Sequence, residues 1–311
     1  MKYGFLTSVL LVSLVATFPG ESMAAGHKHR HHRSGASSYR PADHYSALVV
    51  DADSGHVLYE KNAESIRYPA SLTKMMTLYL TFEALKRGDM DLSDKLTVSE
   101  KASEQPQTNI SLERGDRLPV RTAIESVVVR SANDSATVLG EVLGRTEFNF
   151  ALMMTKKARE LGMKDTVFRN PSGLPDDKQH TTALDMAKLA IALRRDFPEY
   201  YHYFKLTSFE YNGVTYPGHN HVMERYPGVD GVKTGFIRAS GYNLVTSAER
   251  DGHRLVAVIM GGSTIQSRDN QMISLLDRSF DELDNKSASN EKKSSNDEAT
   301  LKLDGVAGTK G

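Results

Sequence analysis

The sequence predicts an α+β protein in which an antiparallel sheet is covered by helices and an all-helical lobe is inserted between the first and later strands. Strand-like segments occur near residue 50 and again near residue 250, and the stretch between them has mainly the 3- and 4-residue apolar spacing of helices. Because strands from both ends of the folded unit bracket a mostly helical middle, we expect them to meet in one sheet.

The first strands form a predicted hairpin. Residues 45–51 are β-branched and apolar, Asp53-Ser54-Gly55 has turn chemistry, and residues 56–60 resume the strand pattern.

A long helix is predicted to follow Pro69 and to end near Gly88, because apolar residues recur between them at helical spacing. Further helices with this pattern are predicted at 120–130, 135–143, 147–161 and 183–194, the last capped by Thr181-Thr182.

The last part of the folded unit returns to strands. Residues 241–248 and 253–260 flank Asp251-Gly252, which is a strong hairpin signal. Residues 266–280 then show the spacing of a helix.

The N-terminal region differs from this unit. Residues 1–25 contain Lys2, a fourteen-residue apolar run from Phe5 to Phe18 and a small-residue exit, which is typical of a signal peptide. A membrane span needs about 20 apolar residues, so an uncleaved anchor or a buried helix is the less favoured alternative. Residues 26–42 form a His-rich arm, which we interpret as disordered rather than metal-binding because no Asp or Glu spacing completes a site.

The C-terminal region is polar. Residues 284–311 are rich in Ser, Asn, Lys, Asp and Glu, and we expect a disordered tail there. The folded unit is therefore predicted at residues 43–283.

Composition excludes several functions. Lys plus Arg (39) balance Asp plus Glu (39), so a broad basic surface for nucleic acid is not expected. The chain has no cysteine, which excludes disulfides, a thiolate nucleophile and Cys-ligated zinc. Covalent catalysis would have to use oxygen or nitrogen.

Ser71-Leu72-Thr73-Lys74 stands at the predicted start of the long helix. A spacing of three residues places both side chains on one helical face, where the lysine amine can accept the serine proton once its pKa is lowered. The alternative for this pair alone is a helix cap followed by a solvated lysine.

Two further motifs carry polar groups. Ser131 and Asn133 follow an apolar run, where the hydroxyl could relay a proton and the amide could hold a peptide, although they would also serve as a helix cap. Lys233-Thr234-Gly235 offers a charge, a hydroxyl and a close approach to the backbone.

With these three motifs in this order, the sequence resembles the low-molecular-mass penicillin-binding proteins that are D-alanyl-D-alanine carboxypeptidases. The resemblance covers about residues 45–280 and includes the segments 69–77, 170–174, 228–235, 241–244 and 260–262. It implies a β-lactamase/transpeptidase-like fold, with a five-stranded antiparallel sheet beside the helical lobe.

The resemblance also implies roles in acyl transfer. Ser71 is expected to attack the penultimate D-alanine of a peptidoglycan stem peptide, with Lys74 as general base and Ser131 as proton relay to the leaving amine. Water would then resolve the acyl-enzyme. β-Lactams are the expected covalent inhibitors, and no cofactor or metal is expected.

Substrate-binding roles follow in the same way. Asn133 is expected to orient the peptide, and Lys233 and Thr234 to hold the terminal carboxylate beside Gly235. Lys233 is also expected to help keep Lys74 neutral.

The resemblance also extends to Phe236 and Arg268. Phe236 would supply a backbone oxyanion donor, although many family members carry histidine there, so its effect on substrate choice and deacylation is open. Arg268 matches an arginine placed near the terminal carboxylate, and a solvated arginine at a helix start is the alternative.

Several alternatives stay open. A D,D-endopeptidase of the same family would use the same residues, and a catalytically silent peptidoglycan-binding protein would keep only the fold. A β-lactamase is disfavoured because we find no convincing Glu-x-x-x-Asn segment between Asn133 and Lys233, and a metallopeptidase because His219 and His221 have no obvious third ligand. No basic amphipathic anchor is evident, so we expect an exported, periplasmic enzyme without a stable membrane anchor.

Overall fold

A central antiparallel sheet organises the structure, a computed structural model that describes the backbone of residues 44–304 and the side chains of residues 44–286. The strands are β1 (Ser46–Asp51), β2 (Val57–Lys61), β3 (Lys95–Thr97), β4 (Arg117–Pro119), β5 (Ser208–Tyr211), β6 (Val214–Pro217), β7 (Val229–Ile237), β8 (Gly241–Arg250) and β9 (His253–Gly262). The predicted signal peptide at 1–25 and the His-rich arm at 26–42 lie outside the described residues.

Helices are the main elements of the stretch between β2 and β7. They are α1 (Lys74–Arg87), α2 (Glu100–Ser103), α3 (Val120–Val129), α4 (Asn133–Gly144), α5 (Glu147–Glu160), α6 (Ala183–Asp196) and α7 (Val222–Arg225), with α8 (Ile265–Asp304) after β9. Single 3₁₀ turns occupy Ala70–Thr73 and Tyr201–Lys205.

The sheet has the strand order β2-β1-β9-β8-β7, and every neighbouring pair is antiparallel. Pairing of β1 with β9 joins the two ends of the unit, with Val49 opposite Ala257. This confirms the predicted α+β class, both hairpins and the insertion of helices between the first and later strands. It also confirms the five strands that the resemblance implies.

Both faces of the sheet are covered, which explains why β1 is a continuous apolar run instead of an alternating one. Leu48 and Val50 belong to the core beneath the helical lobe. Ala47 and Val49 belong to a second core, which includes Met272 of α8.

Helix α1 lies at the centre of the first core and ends as its sequence predicts. Met75, Met76 and Phe82 are fully buried. Gly88 closes the helix in the left-handed conformation (φ +76°), and its N–H donates to the carbonyls of Ala84 and Leu85. The α-helix begins at Lys74 instead of directly after Pro69, because the four residues Ala70–Thr73 form a 3₁₀ turn first.

The last helix corrects the sequence analysis, which places a disordered tail at 284–311. Helix α8 continues to Asp304. Residues 284–304 contain neither glycine nor proline, and Gly305 follows directly. A polar composition limits burial, but it does not stop an established helix from adding residues. Within residues 44–304, no helix combines the length and apolar character needed to cross a membrane.

Other elements carried no clear sequence signal. The short hairpins β3–β4 and β5–β6 consist of strands of three or four residues, and α2 and α7 are single turns. Segments this short cannot display a period of 2.0 or 3.6 residues.

Asn243 of β8 fastens the segment before the first 3₁₀ turn to the sheet. Its amide nitrogen lies 3.1 Å from the Tyr68 carbonyl oxygen and 3.3 Å from that of Pro69. Its amide oxygen accepts a hydrogen bond from the Gly261 N–H at 3.0 Å. The side chain is fully buried, so water cannot replace these bonds.

We therefore predict that Asn243→Ala lowers the free energy of unfolding by about 3 kcal/mol, because each buried polar group left unpaired costs roughly 1–3 kcal/mol. Urea unfolding followed by circular dichroism measures this. Asn149→Ala, at an exposed position in α5, is the matched control and should change stability by less than about 0.5 kcal/mol. A loss for Asn243→Ala as small as that of the control would contradict the anchoring role.

Candidate active site

Ser71 lies in the 3₁₀ turn at Ala70–Thr73, where the sheet and the helical lobe come together. Two glycines allow this close approach. A Cβ on Gly173 (φ +85°) would lie 1.9 Å from the Ala70 carbonyl oxygen, and one on Gly235 would lie 3.1 Å from the Ser71 nitrogen. The loop at 170–174 and strand β7 therefore press on the turn from two sides.

The amine of Lys74 makes three polar contacts. Its Nζ lies 3.1 Å from Ser71 Oγ, 2.7 Å from Asn133 Oδ1 and 2.5 Å from the Ser172 carbonyl oxygen. A neutral amine has two hydrogens and one lone pair. Asn133 Oδ1 and the Ser172 carbonyl can only accept, so they take the two hydrogens and leave the lone pair for the Ser71 hydroxyl.

The surroundings of Lys74 favour this neutral form. The side chain has no exposed surface, and this burial lowers its pKa well below the usual 10.5. The positive charge of Lys233 lowers the pKa further, while Asp134 opposes both effects. Asp134 is itself buried, which raises its pKa, although backbone N–H groups that include those of Ile110 and Leu112 hydrogen-bond to it.

Ser131 and Asn133 are held at the start of α4 by the segment 106–108. The Thr108 hydroxyl donates to the Ser131 carbonyl at 2.9 Å, and the Thr108 carbonyl accepts from the Asn133 N–H at 2.7 Å. The Asn133 amide also donates to the Pro106 carbonyl at 2.8 Å. Ser131 has a left-handed backbone (φ +61°), and its buried Oγ has no hydrogen-bond partner within the described residues. This hydroxyl is therefore available to a ligand.

Strand β7 places the third motif at the edge of the sheet, since it is the last strand in the order. The Lys233 amine donates to the Thr234 carbonyl at 3.1 Å. Burial, followed by the charge of Arg268, lowers the pKa of Lys233 to about 7. A ligand carboxylate near this amine would favour its charged form.

Arg268 is buried rather than solvated. Its Nε and Nη2 donate to Asp269 Oδ1 at 2.9 and 2.7 Å, and its Nη1 lies 3.3 Å from the Asn243 carbonyl oxygen. The solvated alternative raised by the sequence is therefore wrong.

A cleft of 390 Å³ brings most of these residues together. Seven of the predicted site residues line it, namely Ser71, Ser131, Asn133, Thr234, Gly235, Phe236 and Arg268. The buried Lys74 contacts Ser71 from beneath and does not line the cleft. Lys233 lines a smaller cavity of 20 Å³, which shares His219 and Thr234 with the cleft.

The cleft also contains residues to which the sequence assigns no role. These are Gln107, Thr108, Ser172, Gly173, Leu174, His219, His221, Ile237, Tyr242 and Ile265. The recognised segments 170–174 and 241–244 already contain Ser172, Gly173, Leu174 and Tyr242, and that resemblance was the signal available for them.

His219 lines the cleft, and its imidazole is neutral. One of its ring nitrogens is hydrogen-bonded to the Arg130 backbone, and its buried Nε2 has no partner in the described part of the chain. Burial, and then the charges of Lys233 and Arg130, lower the pKa of His219 to about 4. Among the described side chains, no group of three His, Asp or Glu residues is arranged to hold a metal ion.

Known proteins are similar to this chain in sequence and in fold. The family model described as D-alanyl-D-alanine carboxypeptidase matches residues 35–264. The D-alanyl-D-alanine carboxypeptidase DacF of Bacillus subtilis is 36% identical over 246 residues, which cover 76% of this chain and 61% of that protein. The chain thus spans less than two thirds of the length of this curated relative.

Solved structures of penicillin-binding proteins have a similar fold. Penicillin-binding protein 5 of Haemophilus influenzae has a TM-score of 0.72 and 34% identity, with 74% of this chain and 69% of that chain covered. Penicillin-binding protein D2 of Listeria monocytogenes, in a cefotaxime-bound form, has a TM-score of 0.70 and 29% identity, with coverages of 76% and 96%. From its sequence and its fold, the chain belongs to the D-alanyl-D-alanine carboxypeptidase family.

Proposed function

We propose that the protein is a serine-type D-Ala-D-Ala carboxypeptidase, which removes the terminal D-alanine from peptidoglycan stem pentapeptides through an acyl-enzyme on Ser71. The observation that carries this proposal is the fully buried Lys74 amine, 3.1 Å from Ser71 Oγ. Its hydrogens are committed to two other acceptors, so its lone pair can take the serine proton. The B. subtilis relative, named as a D-alanyl-D-alanine carboxypeptidase, supports the same reaction.

Acylation would proceed by one proton transfer and one bond exchange. As the Lys74 amine takes the proton, Ser71 Oγ attacks the carbonyl of the penultimate D-alanine. The backbone N–H groups of Ser71 and Phe236 would stabilise the oxyanion. Support comes from the close approach of β7 to the Ser71 turn, since a Cβ on Gly235 would lie 3.1 Å from the Ser71 nitrogen. Ser131, whose hydroxyl has no other partner among the described residues, would pass the proton to the leaving amine.

The remaining side chains would position the substrate. The amide of Asn133 would orient the peptide backbone. Thr234 and Arg268 line the cleft and would hold the terminal carboxylate together with Lys233, whose amine gains a proton in that field. Water would then hydrolyse the serine ester and release the shortened peptide.

The same nucleophile would react with β-lactams to form a covalent adduct, as the cefotaxime-bound form of the Listeria protein suggests. We further propose that residues 1–25 direct export and that the catalytic unit works in the periplasm, where its substrate lies. Support comes from the apolar run of Phe5 to Phe18 and the small residues after it.

The first test concerns the nucleophile. Ser71→Ala is expected to abolish both covalent labelling by a fluorescent penicillin and D-alanine release from a pentapeptide, because Ser71 carries the only hydroxyl among the described residues that is paired with Lys74. Ser208→Ala, at an exposed strand position, should leave both unchanged. Labelling that persists in Ser71→Ala would refute the assignment.

The second test concerns the base. Lys74→Met keeps the length of the side chain without a proton acceptor, and we expect acylation by the fluorescent penicillin to slow about 10²- to 10⁴-fold. Stopped-flow fluorescence measures this rate, and circular dichroism checks the fold. Lys156→Met, at a side chain that is 82% exposed, is the control. A normal rate in Lys74→Met would show that another group takes the proton.

The third test concerns Lys233. With a pKa of about 7, its amine is mostly neutral at about pH 8 in the free enzyme. Binding a carboxylate favours the ammonium, so binding at that pH should take up as much as about one proton, and affinity should fall as pH rises above 7. Calorimetry in two buffers of different ionisation enthalpy, using Ser71→Ala and a peptide ending in D-Ala-D-Ala, measures the uptake.

The C-terminal amide of that peptide is the control ligand and should cause no proton uptake. Equal uptake for acid and amide would exclude Lys233 as the carboxylate partner.

A further inference from the structure

A polar groove adjoins the active-site cleft at the segment that joins β9 to α8. It has a volume of 850 Å³ and is lined by residues of α8 and of the first two strands, and we call it the α8 groove. The segment is a wall of both sites, because Ile265 and Arg268 line the cleft while Thr264, Gln266 and Ser267 line the groove. The proposed chemistry at Ser71 does not use the groove.

One face of α8 forms one side of the groove. Ser267, Gln271, Ser274 and Arg278 follow one another at intervals of four, three and four residues, which places them on one side of the helix. From the first to the last of them the helix rises about 16 Å, so the face is long enough to contact several units of a polymer. It offers hydroxyl, amide and guanidinium groups, all of which can form hydrogen bonds.

Two tyrosines from the sheet form the opposite side. Tyr59 stands opposite Val49 in the pairing of β1 with β2, and Val49 belongs to the core beneath α8, so Tyr59 points towards the helix. Tyr45 precedes β1 and packs against the same core. Both side chains are half-buried and line the groove. Their rings are therefore held in place by the core while part of each stays exposed.

The charges of this region are divided between two sides of α8. Arg278 faces the groove, where its guanidinium lies 5.9 Å from the centre of the Tyr59 ring. The carboxylates of Asp277 and Asp281 accept hydrogen bonds from side chains that lie outside the groove. Lys61 also lines the groove, and none of its described lining residues is Asp or Glu. The groove thus combines positive charge with aromatic rings.

These groups match a chain of N-acetylated amino sugars. The C–H face of a sugar ring is apolar and packs against an aromatic ring. Sugar hydroxyls and acetamido groups need both donors and acceptors, which hydroxyl and amide side chains supply. The carboxylates that peptidoglycan carries on its muramic acid units and stem peptides would pair with the cations. A polymer with charge alone would leave the tyrosines without a role.

The position of the groove indicates which glycan strand it meets. Arg268, for which we propose a contact with the terminal carboxylate of the stem peptide, belongs to the segment between the cleft and the groove. The sugar that carries a stem peptide is attached to the opposite end of that peptide. A glycan in the α8 groove would therefore belong to a neighbouring strand, and not to the strand whose stem is being shortened.

We propose that the α8 groove binds a glycan strand of peptidoglycan, next to the strand whose stem peptide enters the cleft. This inference rests on the proposed function and extends it from the stem peptide to the polymer that carries the stems. No bond is made or broken in the groove. Binding there would hold the enzyme on insoluble peptidoglycan and raise the effective concentration of stem peptides at Ser71.

The first measurement compares D-alanine release from insoluble, pentapeptide-containing peptidoglycan with release from a soluble pentapeptide, and expresses the two rates as a ratio. We expect Tyr59→Ala to lower this ratio at least about 3-fold, the order expected for the loss of an aromatic contact. Arg278→Gln should lower it in the same direction. Because both rates come from one preparation, the ratio does not depend on the fraction that folds.

The matched controls are Phe148→Ala and Arg114→Gln. Both side chains are exposed and lie outside the groove, so both variants should keep the wild-type ratio.

The second measurement isolates the groove from the cleft. Glycan strands freed from their stem peptides by an amidase are titrated into the enzyme in a calorimeter. The wild-type enzyme should bind them, and Tyr59→Ala should bind them at least about 3-fold more weakly. Polyglutamate, which has carboxylates but no sugar rings, is the comparison ligand and should bind more weakly than the glycan.

Three results would overturn the glycan site while leaving the carboxypeptidase intact: a ratio unchanged in both groove variants, no binding of the stem-free glycan, or polyglutamate that binds as tightly as the glycan. The last result would make the groove a site for anionic polymers in general. Failure of the wild-type enzyme to release D-alanine from the soluble pentapeptide would instead overturn the proposed function, and with it the link between the groove and the cleft.

Discussion

The buried amine of Lys74 is the constraint on which the site depends. An amine without solvent must find all its partners in the protein, and here they come from three distant parts of the chain, the Ser71 turn, Asn133 of α4 and the Ser172 carbonyl. These segments meet where the helical lobe packs against the sheet. The arrangement of partners around the Lys74 amine therefore depends on the packing of these two parts of the unit.

The charges around this amine explain why it can stay neutral. Lys233 and Arg268 are both buried nearby, and each adds a positive field that disfavours protonation of its neighbour. Asp134 opposes this effect on Lys74, and its own carboxylate accepts hydrogen bonds from backbone N–H groups. The positive field of these side chains suits a substrate that brings its own carboxylate.

Much of the fold and of the candidate site could be predicted from the sequence, but only where the type of side chain carries the information. The two long hairpins and the amphipathic helices follow from apolar periodicity, and the pairing of Ser71 with Lys74 follows from their spacing. The Ser172 carbonyl could not be found in this way, because every residue has a backbone oxygen. Helix α8 was misjudged beyond residue 283, since polarity predicts exposure but does not decide whether a helix continues.

Strand β7 contributes to the site from both of its faces, because successive side chains of a strand point to opposite faces. Lys233 lies opposite Val245, which belongs to the core beneath the helical lobe, and Thr234 lies opposite Leu244, which belongs to the core beneath α8. The odd positions thus face Ser71, and the even positions carry Phe236 and Thr234, for which we propose the carboxylate contact. A register slip of one residue would exchange the two sets and destroy both. The fixed pairing of β7 with β8 is therefore as necessary to the site as any single side chain.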